Sequence, residues 1–319
     1  MPGIETNVEP RHPGYVNALK TGDLEYRVAL GREALNHCTL CPRRCGVDRN
    51  AGETGICKTA HLAVVASYNA HFGEETPLVG QNGSGTIFFT HCNLLCNFCQ
   101  NFEISHKGEG VALTDQQLAA VMLELQRDGC HNINFVTPSH VVPQILSSVF
   151  LAAQQGLHIP LVYNSGGYDR VETLKLLDGI FDIYMPDFKF WDTQVAAATC
   201  DAPDYPEVAR AALIEMHRQV GELDIDDDSG LAVKGLLVRH LLLPGGMAGT
   251  TEIMAFIADS LSRNTYVNVM PQYRPCGRAA DVEGLAVALS AEAYRKAIED
   301  ANAAGITRLD RRRRIFEWW

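Results

Sequence analysis

The feature that most constrains this chain is a cysteine triplet directly after an apolar run. Cys92, Cys96 and Cys99 have the spacing C-x3-C-x2-C, and residues 86–89 before them read Thr-Ile-Phe-Phe. Such a run predicts a buried strand, so the cysteines should enter a loop at a strand end, where barrel enzymes keep their chemistry. Three thiolates can hold three irons of a [4Fe-4S] cube and leave the fourth open. A zinc knuckle or three unrelated core thiols are the alternatives.

Length, charge and cysteine usage limit the class of protein. A chain of 319 residues with 46% hydrophobic composition can bury one large core plus a small appendage. Its net charge of −11 argues against a general nucleic-acid binder. No apolar run is long enough to predict a membrane helix. Ten cysteines behind an N-terminus without signal character favour a reducing, cytoplasmic setting.

A second cysteine group lies upstream of the triplet. Cys38, Cys41, Cys45 and Cys57 have the spacing C-x2-C-x3-C-x11-C. Four thiolates so close in sequence predict a metal-stapled loop. Because four protein ligands fill the coordination shell, this centre should be structural or electron-carrying. Zinc and an auxiliary Fe–S cluster are both compatible with the spacing.

Beyond the triplet the pattern alternates between strand and helix. Counting residues 86–89, six strands are predicted, the others at 132–137, 159–163, 181–185, 232–243 and 265–270. Helices are predicted at 114–127, 141–155, 169–177, 192–221, 251–262 and 290–304. Alternation of this kind indicates parallel β/α units with right-handed crossovers. It permits either a partial barrel or a doubly wound sheet.

Upstream, the pattern is less regular. Residues 1–22 are interpreted as an irregular arm, 23–36 as a helix capped by Asp23, and 62–68 as a strand leading into a loop with His71.

With Phe98 before its last cysteine, the triplet resembles that of the radical S-adenosylmethionine (SAM) superfamily. From about Cys38 to about Gly305 the chain resembles the pyruvate formate-lyase-activating-enzyme-like branch, and CTLCPRRC…GETGIC is similar to that branch's N-terminal four-cysteine segment. In this superfamily the open iron chelates SAM, and an electron from the reduced cluster cleaves it to a 5'-deoxyadenosyl radical that abstracts hydrogen. The resemblance implies a [4Fe-4S] cluster, SAM and an electron donor such as flavodoxin or ferredoxin.

The resemblance also implies a domain layout. A six-stranded partial (β/α)6 barrel of the TIM type would span 81–305. An arm with the cysteine-rich metal-binding segment would precede it at 1–80, and a basic and aromatic tail would follow at 306–319. The tail carries four arginines at 311–314 and two tryptophans at 318–319. It is interpreted as a docking peptide or as a solvated or self-packed end.

Polar residues after the predicted strands are the candidate SAM contacts, because strand ends carry the chemistry in such folds. Thr137 and Ser139 could offer oxygen acceptors to an ammonium group. By resemblance, Asn164 and Ser165 lie beside the methionyl and ribose groups, and the backbone of Phe98 meets the adenine. The glycine pair at 166–167 should permit close backbone approach to a ligand.

Charged residues at later strand ends extend this candidate site. Asp187 and Lys189 emerge on the same side of an extended chain. They match the Met-x-Asp-x-Lys stretch of activating enzymes, where a cation and the SAM carboxylate are held. Arg239 lies inside an apolar strand and needs an anion, for which the SAM carboxylate is the natural candidate. The alternative for Lys189 is an internal pair with Asp187.

The substrate side is the least defined part of the sequence. Substrate candidates are His71, His140, Gln272, Tyr273 and Arg274, with His140 equally readable as a polar helix cap. The function expected is a radical SAM oxidoreductase that abstracts hydrogen from an unidentified small molecule or peptide. Alternatives are an activase that installs a glycyl radical on a partner enzyme, and a non-catalytic Fe–S or zinc scaffold.

Overall fold

A mostly parallel sheet with surrounding helices forms the fold, in a computed structural model that describes residues 12–310. Its described strands are β1 (Ala63–His71), β2 (Ser84–Phe89), β3 (Val111–Leu113), β4 (Ile133–Val136), β5 (Leu161–Ser165), β6 (Ile183–Pro186), β7 (Asp224–Ile225), β8 (Ala232–Leu241) and β9 (Tyr266–Met270). Its described α-helices are α1 (Gly14–Thr21), α2 (Asp23–Glu33), α3 (Thr76–Val79), α4 (Asp115–Arg127), α5 (Val142–Gln154), α6 (Val171–Lys175), α7 (Thr193–Cys200), α8 (Tyr205–Val220), α9 (Thr250–Phe256) and α10 (Ala291–Ala303).

The parallel part of the sheet follows chain order. Strands β2, β4, β5, β6, β8 and β9 are neighbours in that sequence, each parallel to the next. This confirms the predicted mixed α/β alternation. A doubly wound sheet reverses its strand order near the middle, and the described parallel strands show no reversal. Closure of this sheet into a partial barrel stays a prediction.

Antiparallel strands join the parallel part at β2 and at β8. β1 pairs with β2 and β3 with β1, while β7 pairs with β8. Strand β1, in the region assigned to the N-terminal segment, therefore continues the main sheet. The carboxyl ends of the six parallel strands meet at one edge, which places the loop after β2 beside the loops after β5, β6 and β8.

Local sequence explains most of these elements. Strands β5 and β6 are buried along their whole length, as expected of apolar strands covered on both faces. Helix α4 begins with the predicted Thr114 cap, which forms a capping box with Gln117. Helix α5 accepts Pro143 in its first turn, where proline removes no helical hydrogen bond.

The N-terminal predictions need correction. The stretch 14–21 of the predicted arm is helix α1, which buries Tyr15 and ends at left-handed Gly22. Gly22, not Asp23, is the cap of α2, because Asp23 lies in the first turn and pairs with Arg27. His71 closes strand β1 and is not in a loop, since it pairs with Ser84 of β2.

Two differences lie further along the chain. The short edge strand β3 was not predicted, and the helix predicted over 251–262 is α9 followed by a π-helical turn, Ile257–Leu261. The arginine and tryptophan run of the tail and residues 1–11 of the arm lie outside the described residues. No described helix is both long and apolar enough to cross a membrane.

Candidate active site

A cleft of about 400 Å³ opens at the carboxyl edge of the parallel strands. It is lined from β2 at one side to β9 at the other, by Phe88 and by Met270 respectively. The cysteine triplet and most of the predicted SAM contacts share it: Cys92, Cys96, Cys99, Phe98, Thr137, Asn164, Ser165, Asp187, Lys189 and Arg239.

The loop that carries the triplet is sharply folded. His91 and Leu95 have positive φ angles of 62° and 58°, a region that non-glycine residues seldom occupy. This folding directs hydrogen bonds at the sulfurs. The Leu94 N–H donates to Cys92 Sγ at 3.3 Å, and the Ser105 hydroxyl donates to Cys99 Sγ at 3.2 Å. Such bonds to sulfur tune the potential of Fe–S clusters.

Burial dominates the acid–base chemistry of the triplet. It raises the pKa of Cys92 to about 12, and the neighbouring Cys96 adds to the effect. The pKa of Cys99 is raised by burial as well. Cys96 lies within hydrogen-bonding contact of Cys200. These thiols stay protonated at neutral pH unless a cation stabilises their thiolates.

A buried group of charges forms the floor of the cleft. Asp187 accepts from Arg239 Nε at 2.8 Å and from Lys189 Nζ at 2.5 Å. Asn164 Oδ1 accepts from Arg239 Nη2 at 2.7 Å. Glu74, on the segment after β1, approaches Arg239 Nη1 at 4.0 Å. The guanidinium that sequence reasoning gave to a SAM carboxylate thus already has an internal anion.

Opposite charges in this group offset the cost of burying them. Burial alone would raise the pKa of Asp187, but Arg239 and Lys189 outweigh burial and hold that pKa below its ordinary value. Burial would lower the pKa of Lys189, and Asp187 raises it instead. All three side chains are therefore charged at neutral pH, and because Glu75 acts on Arg239 as well as Glu74, two cations face three acidic side chains.

Tyr205, the first residue of α8, holds the strand ends together. Its hydroxyl accepts from the Lys189 N–H at 2.9 Å and lies 2.9 Å from the Gly166 carbonyl oxygen. Gly167, at φ 76°, packs so closely that a Cβ would meet the Asp187 carbonyl oxygen. The close approach at Gly167 is therefore to the neighbouring strand end, while Gly166 lines the cleft, and close approach to a ligand there stays a prediction.

A second network fixes Ser165. Buried Asp169 accepts from the Ser165 hydroxyl at 2.6 Å and from the Tyr163 hydroxyl at 2.9 Å. Burial raises the pKa of Asp169, with the hydroxyl donors, Ser139 among them, opposing the rise. Ser139 lies in this network and not on the cleft wall.

The substrate candidates separate into two groups. His71 and Gln272 line the cleft. Tyr273 is buried and donates to the Leu285 carbonyl, and Arg274 is exposed outside the cleft. His140 is buried beneath the cleft, because the chain turns at Thr137, where φ is 62°.

The upstream cysteines enclose a separate small cavity. Cys38, Cys41, Cys45 and Cys57 all line it, together with Arg49 and His140. Burial raises the pKa of Cys41 to about 12, and the other three thiols are near enough to affect it. The Ile56 N–H donates to Cys45 Sγ at 3.5 Å, and Arg49 Nη1 approaches Cys38 Sγ at 3.9 Å.

The cysteines of the described chain are all unpaired. No group of three or more His, Cys, Asp or Glu side chains in residues 12–310 is arranged to chelate a single ion. In a [4Fe-4S] cube each thiolate binds a different iron. Three thiols on an open cleft, one buried and two half-buried, with N–H and O–H donors at two sulfurs, fit that donor set.

Sequence reasoning missed the residues that support the site. Glu74 belongs to the loop predicted around His71, which was interpreted as solvated or hydrogen-bonded, and Tyr205, Asp169 and Arg49 drew no prediction. Only Glu74 carried a local signal, as a carboxylate next to His71, which was itself a candidate. The other three act through contacts with residues distant in the chain.

Comparison with known proteins gives one close relative. The "Uncharacterized protein MJ0674" of Methanocaldococcus jannaschii is 30% identical over 289 residues, which is 88% of this chain and 79% of the relative. No family model matches the chain. Among solved structures, a radical SAM methyltransferase from Sphaerobacter thermophilus aligns over 89% of this chain and 91% of its own, at 14% identity and a TM-score of 0.45. A likeness at that level carries no inference here.

Proposed function

This chain belongs to the same family as the uncharacterized protein MJ0674, whose name assigns no reaction, and we propose from the cleft itself that it is a radical SAM enzyme. One observation carries the proposal. The three thiols of the C-x3-C-x2-C loop line the same cleft as Asp187, Lys189 and Arg239.

A [4Fe-4S] cluster and SAM would have complementary chemistry in this cleft. A [4Fe-4S] cluster held by Cys92, Cys96 and Cys99 would supply an electron and an open iron for SAM, the source of a 5'-deoxyadenosyl radical. The chain's own part is to hold these groups and exclude water. SAM brings a carboxylate, an ammonium and a sulfonium, so a floor of fixed charges of both signs suits it better than an apolar wall.

Each cleft residue is assigned a role from the polar, charged or aromatic side chain that it contributes. Lys189 and Arg239 provide cationic donors for the SAM carboxylate, with Asp187 fixing both side chains in place. Thr137, Asn164 and Ser165 add polar side chains to the cleft wall, with the Ser165 hydroxyl held by Asp169 and Asn164 Oδ1 held by Arg239. Phe98 packs edge-on against Phe190 and gives the cleft a rigid aromatic side.

The four upstream cysteines are proposed to hold a second centre, either zinc or an auxiliary Fe–S cluster. Their shared cavity and the N–H donors at their sulfurs support it. A reduced protein such as flavodoxin or ferredoxin is the proposed electron donor. The partial barrel and the division at residues 80 and 305 belong to the same proposal.

The proposed reaction is hydrogen abstraction from a small molecule or peptide by an oxidoreductase. His71 and Gln272 are the substrate candidates that lie on the cleft. An activase acting on a partner enzyme would use the same radical, and the two are separated by glycyl-radical electron paramagnetic resonance of partners mixed with the reduced protein.

The test is anaerobic reconstitution with iron and sulfide, followed by dithionite and SAM. We expect 5'-deoxyadenosine and methionine in equal amounts from the parent and none from Cys92→Ala/Cys96→Ala/Cys99→Ala. Cys130→Ala is the control, because Cys130 is buried away from both cysteine groups. Equal cleavage by the parent and the triple variant would refute the proposal.

A further inference from the structure

His140 occupies an unusual place for a residue that sequence reasoning assigned to the cleft. It lies between β4 and α5, it is 1% exposed, and it does not line the cleft. It lines the cavity of the four upstream cysteines instead. A polar ring buried in that position needs partners for both of its nitrogens.

One ring nitrogen has its partner, and that partner fixes the tautomer. His140 Nε2 lies 2.9 Å from the Thr90 carbonyl oxygen. Because a carbonyl can only accept, Nε2 must carry the hydrogen, and in the neutral ring Nδ1 then keeps a lone pair. Within residues 12–310, Nδ1 is buried and has no hydrogen-bond partner.

Arg49, one of the two arginines that line this cavity, is already engaged. It donates from Nε and Nη2 to the Ala60 carbonyl, and from Nη1 to the His140 carbonyl. Leaving a buried nitrogen without a partner destabilises the fold. The other candidates in the cavity are the cysteines, whose sulfurs donate hydrogen bonds only weakly and not at all as thiolates.

We propose that His140 Nδ1 is a ligand of the N-terminal metal centre, in place of one of the four cysteine thiolates. A neutral imidazole lone pair combined with thiolates is an established donor set for zinc and iron. The Nε2–H bond to Thr90 is the supporting contact that ligating histidines make with their second nitrogen. This inference rests on the proposed second centre.

The ligand would also connect the two cysteine groups. Thr90 stands two residues before Cys92, so one imidazole would link the N-terminal metal to the start of the triplet loop.

The experiment uses the Cys92→Ala/Cys96→Ala/Cys99→Ala protein, in which only the N-terminal centre remains. X-ray absorption at the edge of the metal found there counts its ligands. We expect one nitrogen at about 2.0–2.1 Å together with sulfurs at about 2.3 Å if the metal is zinc. His140→Gln in this background should lose the nitrogen shell and weaken metal binding at least tenfold in chelator competition.

His37→Gln is the matched control, because His37 stands next to Cys38 in the sequence and is the alternative histidine ligand. Its ring lies exposed against Gly46, and its replacement should leave the spectrum unchanged. A metal shell of sulfur alone would overturn the assignment while leaving the second centre intact. A nitrogen shell lost in His37→Gln and kept in His140→Gln would overturn it too. A metal-free protein would refute the centre itself. Should His140→Gln fail to fold, the spectrum of the triple variant decides.

Discussion

Arg43 of the cysteine-rich segment donates from Nε to the carbonyl of Asn93, inside the triplet loop, at 2.9 Å. The same guanidinium reaches the carbonyls of Leu94 at 3.3 Å and of Cys200 at 2.8 Å, and that of Asp201 next to it. The segment with the four upstream cysteines therefore fixes the backbone of the loop that carries Cys92, Cys96 and Cys99.

Replacing Arg43 should loosen the triplet loop without touching a cysteine. In Arg43→Met four carbonyls lose a charged donor, and we expect the free energy of unfolding to fall by about 2–3 kcal/mol. The N-terminal metal should stay, while iron bound by the triplet decreases. Denaturant unfolding measures the loss of stability. Metal analysis of variants that keep only one of the two cysteine groups measures the metal bound by each group. Arg44→Met is the control, because these carbonyls bind Arg43. Equal iron content in the two variants would contradict the expected coupling.

The buried pair Asp187–Arg239 should behave as a unit. Arg239→Met leaves Asp187 with Lys189 as its remaining cation and should cost about 3 kcal/mol of stability, since a buried ion pair is broken. The double variant Arg239→Met/Asp187→Asn also takes the carboxylate from Lys189, so it should lose less stability than the sum of the two single variants without regaining that of the parent. Chemical denaturation of the two single variants, the double variant and the parent gives the coupling energy. Additive losses would mean that the two side chains act independently.

Tyr205→Phe should affect the cleft as well as the fold. It removes the hydroxyl between Lys189 N–H and the Gly166 carbonyl, which costs about 1–2 kcal/mol of stability. Tyr184→Phe is the matched control, because Tyr184 is also fully buried but donates to Gln219 behind the sheet. Both should lose similar stability. The KM for SAM should rise roughly tenfold, or about 1.4 kcal/mol, in Tyr205→Phe alone, and an equal rise in both variants would count against a role in positioning.

Asp182 should contribute a measurable pH dependence to stability. It accepts the N–H groups of Gly14 and Leu161, and burial, which outweighs those bonds, raises its pKa to about 6. A carboxyl whose folded pKa is raised stabilises the fold when protonated and loses that contribution as pH rises through the folded pKa. From an unfolded value near 3.8, the loss between pH 5 and pH 7.5 is roughly 1.4 kcal/mol.

Asp182→Asn should remove that slope. Anaerobic urea unfolding at the two pH values measures it, and the exposed Asp227→Asn provides the control. A variant whose stability falls with pH as steeply as that of the parent would contradict the assignment.

Local patterns were enough to predict the sheet and the strand-end residues on it. Apolar runs and alternation are properties of neighbouring residues, so Asn164, Asp187 and Lys189 could be placed at strand ends from sequence. Supporting residues could not, because Tyr205 reaches Gly166 across 39 residues and Arg43 reaches Asp201 across 158. His140 was open to two interpretations, substrate residue or polar helix cap, and the left-handed turn at Thr137 precedes its position away from the cleft lining.

The strand order also bears on how the chain is made. Each parallel strand lies beside the one synthesised before it, so the sheet can grow in the order in which the ribosome delivers it. The upstream cysteines emerge first, yet the carbonyls of Cys200 and Asp201 that fasten Arg43 arrive more than 150 residues later. We expect that a protein that inserts metal or a cluster can reach these thiols during that interval, before the finished fold buries them.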